Sequence, residues 1–247
     1  MWSAKIREFY ANYVHINKGT MRIHAKIITI FKHMKIGIVR EGKIPIDKRV
    51  ALIPEHAAQL KDKFKCEIVV QSSAIRAISD EEYVRHGIDL QQDLSDCDVL
   101  FGVKEVPIHD LIQSKTYFFF SHTYKQQPYN AKLLRACVER NIRLIDYELL
   151  KKNGTRVVAF GRFAGLVGAY NGLRGWAEKY GQFVLKPAHE CHDMQDMFDQ
   201  LKGIDWPADL RILLTGKGRV AGGAVETLKA AGIPEIAPED VENYEGC

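Results

Sequence analysis

With 247 residues, 46% of them hydrophobic and 27% charged, the chain has the make-up of an ordinary globular protein and enough material for one large or two smaller domains. Its formal net charge of +4 is concentrated at one end: residues 1–33 hold six Lys/Arg against Glu8 alone, so the remainder carries −1. A nearly neutral body argues against a nucleic-acid partner, and no apolar stretch reaches the roughly 18 residues of a membrane span.

Five cysteines (Cys66, Cys97, Cys137, Cys191, Cys247) lie at irregular spacing with no C-x-x-C pair and no secretory leader. That usage suits a reducing compartment and predicts a cytoplasmic protein. The basic, aromatic, acid-poor residues 1–33 have two readings. They are a presequence, which would make the location mitochondrial, or the product of an upstream start with Met34 as the authentic one. Their poverty in serine favours the second.

From Met34 the pattern alternates. Lys35–Arg40 reads as a strand and Glu41–Arg49 as a polar loop; Pro54 opens a helix to about Lys63, as proline does in a first helical turn. Cys66–Gln71 is a β-branched strand, and Ser79-Asp80-Glu81-Glu82 is a capping-box sequence heading a short helix. A strand over Val99–Val103, a Pro107-led helix and a strand over Tyr117–Ser121 come next. A helix from Pro128 to about Arg140 and strands over Arg143–Tyr147 and Arg156–Phe160 complete the series. Strands alternating with helices predict an α/β fold with a mostly parallel sheet.

Two apolar runs, Asp98–Val103 and Thr116–Ser121, end in polar clusters: Lys104-Glu105 after the first, His122 with Lys125 after the second. Ligands of open α/β sheets sit at the carboxyl ends of strands, so Lys104 and His122 form a candidate acid/base pair. The plainer alternative is a solvated lysine and a hydrogen-bonded structural histidine.

Gly161–Gly181 is a helical run with Gly165, Gly168, Ala169, Gly172 and Gly175. Each interior glycine costs a helix about 1 kcal/mol relative to alanine, which suggests close packing against another element or a ligand. A plain core helix fits as well. His189-Glu190-Cys191-His192-Asp193 is not H-E-x-x-H and reads as a solvated polar patch, so no metal is expected. Arg211–Thr215 reads as a buried strand running into Gly216-Lys217-Gly218-Arg219-Val220-Ala221-Gly222-Gly223 and a helix over Val225–Ala231. This is G-x-G-x-x-A between strand and helix, the setting in which backbone amides cradle a dinucleotide pyrophosphate. The turn residues Gly216, Gly218, Arg219, Val220, Ala221 and Gly222 are the candidate cofactor contacts. The acid expected further on, for the ribose, is Glu239 or Asp240, which leaves NAD and NADP both open.

The blocks R-V-A-L-I-P (49–54), G-V-K-E-V-P (102–107), Y-F-F-F-S-H-T-Y-K (117–125), R-L-I-D-Y-E (143–148) and R-V-V-A-F-G-R-F-A-G (156–165), with the glycine turn at 216–223, keep their order over most of 34–240. In them the chain resembles the lysine-forming saccharopine dehydrogenases and the lysine–ketoglutarate reductase part of bifunctional lysine-degrading enzymes, within the wider alanine dehydrogenase/transhydrogenase superfamily. The resemblance implies two Rossmann-like lobes, the second incomplete. It divides the chain into the extension 1–33, a substrate domain 34–165, a helical connector 166–208 and the start of a dinucleotide-binding domain at 209–247, a C-terminally truncated member of the family.

The resemblance further implies NAD(P)-dependent oxidative cleavage of saccharopine to lysine and 2-oxoglutarate, or the reverse condensation. Lys104 would take the proton from the secondary amine, and His122 would activate water against the imine. Arg49, Lys125 and Arg156 would bind carboxylates, Phe160 would line the pocket, and Glu105 and Glu148 would support the pair. The partner is then a small amino-acid substrate, with oligomeric state open. An alanine dehydrogenase-like enzyme and a non-catalytic substrate-lobe subunit are the alternatives. Lys125 and Arg156 count against the former, since alanine has one carboxylate to hold.

Overall fold

The computed structural model describes residues 34–237; the basic extension 1–33 and the acids Glu239 and Asp240 lie outside the described residues. The chain divides between Val158 and Ala159 into two units.

The first unit is built on six strands: β1 (Lys35–Ile38), β2 (Glu67–Val70), β3 (Asp89–Leu90), β4 (Val99–Phe101), β5 (Thr116–Phe119) and β6 (Arg143–Asp146). They lie in the order β3-β2-β1-β4-β5-β6, and every neighbouring pair is parallel. This is the doubly wound order. Its direction of growth reverses between β1 and β4, the point at whose carboxyl ends open α/β sheets bind ligands.

Alternate residues feed opposite faces, as a strand's period of two requires. Val69, Leu100, Tyr117 and Phe119 join a core with Cys97, Val106, Leu111 and Leu133. Ile36, Ile38, Ile68 and Val70 join another with Leu52, Ala57, Tyr83 and Ile88. Both faces are therefore covered, which is why the strands read as unbroken apolar runs. Helix α1 (Pro54–Phe64) starts on its proline and stops at Lys65, in the left-handed region at φ 55°. Helix α2 (Asp80–Arg85) carries Tyr83 into the same core. Helix α3 (Ala131–Glu139) buries Leu133, Ala136 and Cys137 on the other face.

Several local expectations are corrected. Ser79 occupies the cap position of α2 but makes no side-chain cap bond. Glu82 is drawn to Arg85, and Asp80 to Ser72, Ser73 and Arg76. Pro107 and Pro128 each open only a single 3-10 turn, Ile108–Asp110 and Pro128–Asn130, the latter running into α3. The strand expected over Arg156–Phe160 reduces to Thr155–Arg156 (β8), paired antiparallel with Lys151–Lys152 (β7). Asn153 and Gly154, at φ 50° and 75°, form the tight turn that folds this stretch into an exposed hairpin instead of adding it to the sheet.

The second unit is helical in its described residues: α4 (Gly161–Tyr180), α5 (Met194–Asp199) and α6 (Arg219–Ala230). Leu166, Tyr170, Leu173, Leu185, Met197 and Leu201 form its core, and the Trp206 indole N–H donates to the Ala231 carbonyl at 2.7 Å. Arg211–Thr215 is not a strand here. No described strand pairs with it and Leu213 is 88% exposed, so the apolar run alone does not make a ladder.

Helices α4 and α6 touch through glycines. A Cβ on Gly165 would fall on the Val220 carbonyl oxygen, and one on Gly223 on the Arg162 carbonyl oxygen. By contrast, Gly168, Gly172 and Gly175 have open space beside them. Thr227 adds a hydroxyl bond to the Leu166 carbonyl at 3.0 Å, and Arg162 pairs with Glu226. Gly165→Ala is expected to destabilise this unit by about 2 kcal/mol or more through overpacking. Gly168→Ala should raise stability by up to about 1 kcal/mol. Urea unfolding of both variants checks the pair, and equal effects would contradict the helix contact.

Candidate active site

The site residues of the first unit gather at the carboxyl edge of the sheet. Beyond β4, Gly102 brings the chain close under Val39 and Glu41: a Cβ there would lie 2.9 Å from the Val39 Cγ2. Glu41, in the loop after β1, accepts the backbone N–H of Val103 at 2.7 Å on Oε1 and that of Lys104 at 2.8 Å on Oε2. Burial pushes the Glu41 carboxyl up from its ordinary range, against the pull of those two amides. The Lys104 side chain is half-buried and its ammonium makes no ion pair among the described residues. Glu105 is held by Lys43 at 2.5 Å through Oε2, while its buried Oε1 has no hydrogen-bond partner among the described residues.

Beyond the neighbouring β5, Asp146 performs the matching service. Its Oδ2 accepts the backbone N–H of Ser121 at 3.1 Å and of His122 at 2.9 Å, and the Ser121 hydroxyl at 2.6 Å; its Oδ1 accepts the Glu148 N–H at 2.8 Å. His122 lies in the left-handed region at φ 56°, a conformation costing a non-glycine residue about 1–2 kcal/mol, which these bonds offset.

Glu148 is the electrostatic hub. Its Oε2 meets His122 Nδ1 at 2.9 Å and Lys125 Nζ at 3.0 Å, and its Oε1 meets Arg156 Nη2 at 3.1 Å. Burial raises its pKa, but hydrogen bonds from Lys125, His122 and Tyr124 outweigh this and bring the carboxyl down to about 2. The same contact with Glu148 raises the Lys125 ammonium. Lys125 Nζ also lies 3.0 Å from His122 Nδ1. In one tautomer Nδ1–H donates to Glu148 and leaves Nε2 as a base; in the other, Nδ1 accepts from Lys125. Arg49 is matched by Asp47, Nε to Oδ1 at 2.9 Å and Nη2 to Oδ2 at 2.5 Å, which lowers the aspartate and raises the arginine.

The structure thus brings His122, Lys125, Glu148 and Arg156 into one cluster. Lys104 and Glu105 follow the adjacent strand, and Arg49 stands on the loop after β1. Glu105 touches Lys43 rather than Lys104. Phe160 belongs to the second unit, at the head of α4. Sequence reasoning missed Glu41, Lys43, Asp47 and Asp146. Three of them were in view within the polar loop after the first strand, and Asp146 within the R-L-I-D-Y-E block.

In the second unit, Gly216 takes φ 90°, open to glycine, and Gly218 precedes α6 in extended conformation without a side-chain cap. Among the described residues, a Cβ at Gly216, Gly218 or Gly222 would meet nothing within 4 Å beyond its own chain neighbours and helix backbone. N–H groups at a helix start that has no side-chain cap fit a pyrophosphate. Arg219 and Val220 are exposed there and Ala221 is buried. Among the described residues no helix is long and apolar enough to cross a membrane.

Glu148 carries a pH signature. Its folded pKa lies below the ordinary 4.5, so the stability it lends is whole above that value and is lost as pH falls toward about 2. Thermal unfolding of the wild type and Glu148→Gln between about pH 5 and about pH 2 should show a gap that narrows on acidification. A constant gap would remove the ion-pair account.

Residues 37–167 match the model of the alanine dehydrogenase/PNT N-terminal domain. The mitochondrial alpha-aminoadipic semialdehyde synthase of Bos taurus is 43% identical over 221 residues, 82% of this chain and 24% of that protein. Saccharopine dehydrogenase (NAD(+), L-lysine-forming) of Neurospora crassa is 32% identical over 204 residues, 77% of this chain and 55% of that one. The chain spans about a quarter of the length of the first relative and about half of the second. A solved L-alanine dehydrogenase superposes with a TM-score of 0.60 at 17% identity, over 80% of this chain and 53% of that one, a likeness of fold.

Proposed function

We propose, because the chain belongs to the alanine dehydrogenase/PNT N-terminal domain family, that it serves an amino-acid oxidoreductase, and that its substrate is saccharopine, cleaved to lysine and 2-oxoglutarate. The observation that carries this reading is the cationic cluster around Glu148. Lys125 and Arg156 share one carboxylate with His122, and Arg49 stands on a neighbouring loop, so the edge offers more cations than a substrate with one carboxylate needs. The relatives named for saccharopine and for alpha-aminoadipic semialdehyde support the same choice over alanine.

Nicotinamide, when bound, supplies the hydride acceptor; the amides of the turn Gly216–Gly222 and the start of α6 would hold its pyrophosphate, and NAD or NADP would serve. Lys104, which makes no ion pair among the described residues, acts as its neutral amine and takes the proton from the secondary amine nitrogen as hydride leaves the glutamate-side Cα, giving a neutral imine. Lys104 then returns that proton to the imine nitrogen while His122 removes one from water as its oxygen bonds to the imine carbon. The histidine gives its proton to nitrogen as the C–N bond breaks and Lys104 takes the hydroxyl proton, releasing lysine and leaving the 2-oxo group. Glu148 holds the imidazole and stabilises its protonated form. Arg49, Lys125 and Arg156 bind substrate carboxylates, and Glu105 supports Lys104 through the local field.

The test is hydride transfer by the full chain with saccharopine or alanine, each with NAD and NADP, followed by reduced-nicotinamide absorbance. Saccharopine turnover that drops about 10²- to 10⁴-fold in Lys104→Met and in His122→Gln is the expected result. Preference for alanine would overturn the substrate. Saccharopine binding by calorimetry without any hydride transfer would point to a non-catalytic substrate-lobe subunit.

A further inference from the structure

We infer that Glu41 and Asp146 are paired positioning residues: each accepts the two backbone N–H groups that lead into Lys104 or His122, and so sets the direction in which that side chain leaves the sheet. The inference rests on the acid–base roles proposed above.

The two arrangements match. The ladder between β4 and β5 runs on past the strands through Gly102 N–H to the Phe118 carbonyl at 2.9 Å and Phe120 N–H to the Val103 carbonyl at 3.0 Å. The next donors along each strand are Val103 and Lys104 on one, Ser121 and His122 on the other. Each pair is taken by a carboxylate from the adjoining strand's end: Glu41 after β1, which pairs with β4, and Asp146 closing β6, which pairs with β5.

Among the described residues, the hydrogen bonds these carboxylates accept come from the two ends that carry candidate chemistry and from Glu148. Asp146 is 6% exposed, and its remaining bonds go to the Ser121 hydroxyl and the Glu148 N–H, so it also fixes the hub against which the imidazole rests. With His122 held at φ 56°, loss of the Asp146 oxygen would free the residue to return to an ordinary conformation and carry its ring away from Glu148. A carboxamide is a poor substitute. It turns one N–H donor toward other donors and lacks the charge that strengthens amide bonds.

The experiment uses the full chain with Asp146→Asn and Glu41→Gln. Expected is a fall in kcat of about 10- to 100-fold for saccharopine with KM within about twofold, the mark of misplaced reacting groups rather than lost substrate contacts. Without substrate, carbon NMR of the Glu148 carboxyl, which faces His122, Lys125, Tyr124 and Arg156, should show its titration in Asp146→Asn moved up from about 2. Unchanged kcat together with an unchanged Glu148 titration overturns the inference.

Should either variant fail to fold, the wild type still decides. Scalar couplings across the hydrogen bonds, from the Ser121 and His122 amide nitrogens to the Asp146 carboxyl carbon, are required, and their absence rejects the arrangement. Failure of the wild type to turn over saccharopine would count against the proposed reaction, whereas the couplings and the Glu148 titration, read without substrate, judge the positioning by themselves.

Discussion

A parallel sheet satisfies its backbone only along its ladders, and the donors just past the last rung must find acceptors elsewhere. In this protein that constraint falls at the carboxyl edge, where Val103, Lys104, Ser121 and His122 extend beyond β4 and β5. Two carboxylates meet the need, and the chain's direction at Lys104 and His122 follows from where they stand. The candidate chemistry thus lies on backbone that the fold had to satisfy in any case. Loops that leave strand ends with unpaired amides are usually adaptable; these two are tied within hydrogen-bond distance of charged acceptors, which are stronger than neutral ones.

The charges at that edge are arranged with the same economy. Glu148 alone faces three basic groups, so its cluster retains positive valence even with every contact made. A buried carboxylate would by itself be costly; ringed by Lys125, His122, Tyr124 and Arg156 it remains ionised down to low pH. The excess of cations over that single acid gives an anionic ligand something to bind without first displacing the hub. Arg49 differs, since Asp47 already matches its guanidinium at two points, and a ligand carboxylate would have to share or replace that partner.

Much of this was legible in the sequence, for reasons that can be assigned. The Val-, Ile- and Phe-rich runs mark β1, β2, β4, β5 and β6 because both sheet faces are covered, and Lys104 and His122 stand out because they follow such runs. Glu41 and Asp146 did not stand out, because their function depends on strand order. Glu41 reaches residues 62 and 63 positions away, and only the pairing of β1 with β4 makes them neighbours. The misplaced strands show two other limits. At 156–160 the Asn153-Gly154 turn outweighed the apolar pattern, and at 211–215 an apolar run has no described strand to pair with. Periodicity reports burial preference; a ladder also needs a neighbour.

The glycines of α4 show how one sequence class can hide two physical ones. Gly165, Gly168, Gly172 and Gly175 look alike as interruptions of a helix, yet only Gly165 lies where a methyl group would strike backbone, at Val220, in the first turn of α6. Gly223 answers it from the other helix, against Arg162. The contact thus locks the first two turns of α6 to the first two turns of α4. That matters for the turn before α6, because N–H groups can hold a phosphate only if the helix start presenting them is itself fixed. In the fingerprint the third small residue permits close packing. Here Ala221 is buried in that role, but the tightest approaches are those of Gly165 to the Val220 carbonyl and of Gly223, two residues on, to the Arg162 carbonyl. The glycine turn and the glycine-studded helix, read separately as a cofactor motif and a packing surface, are two sides of one contact.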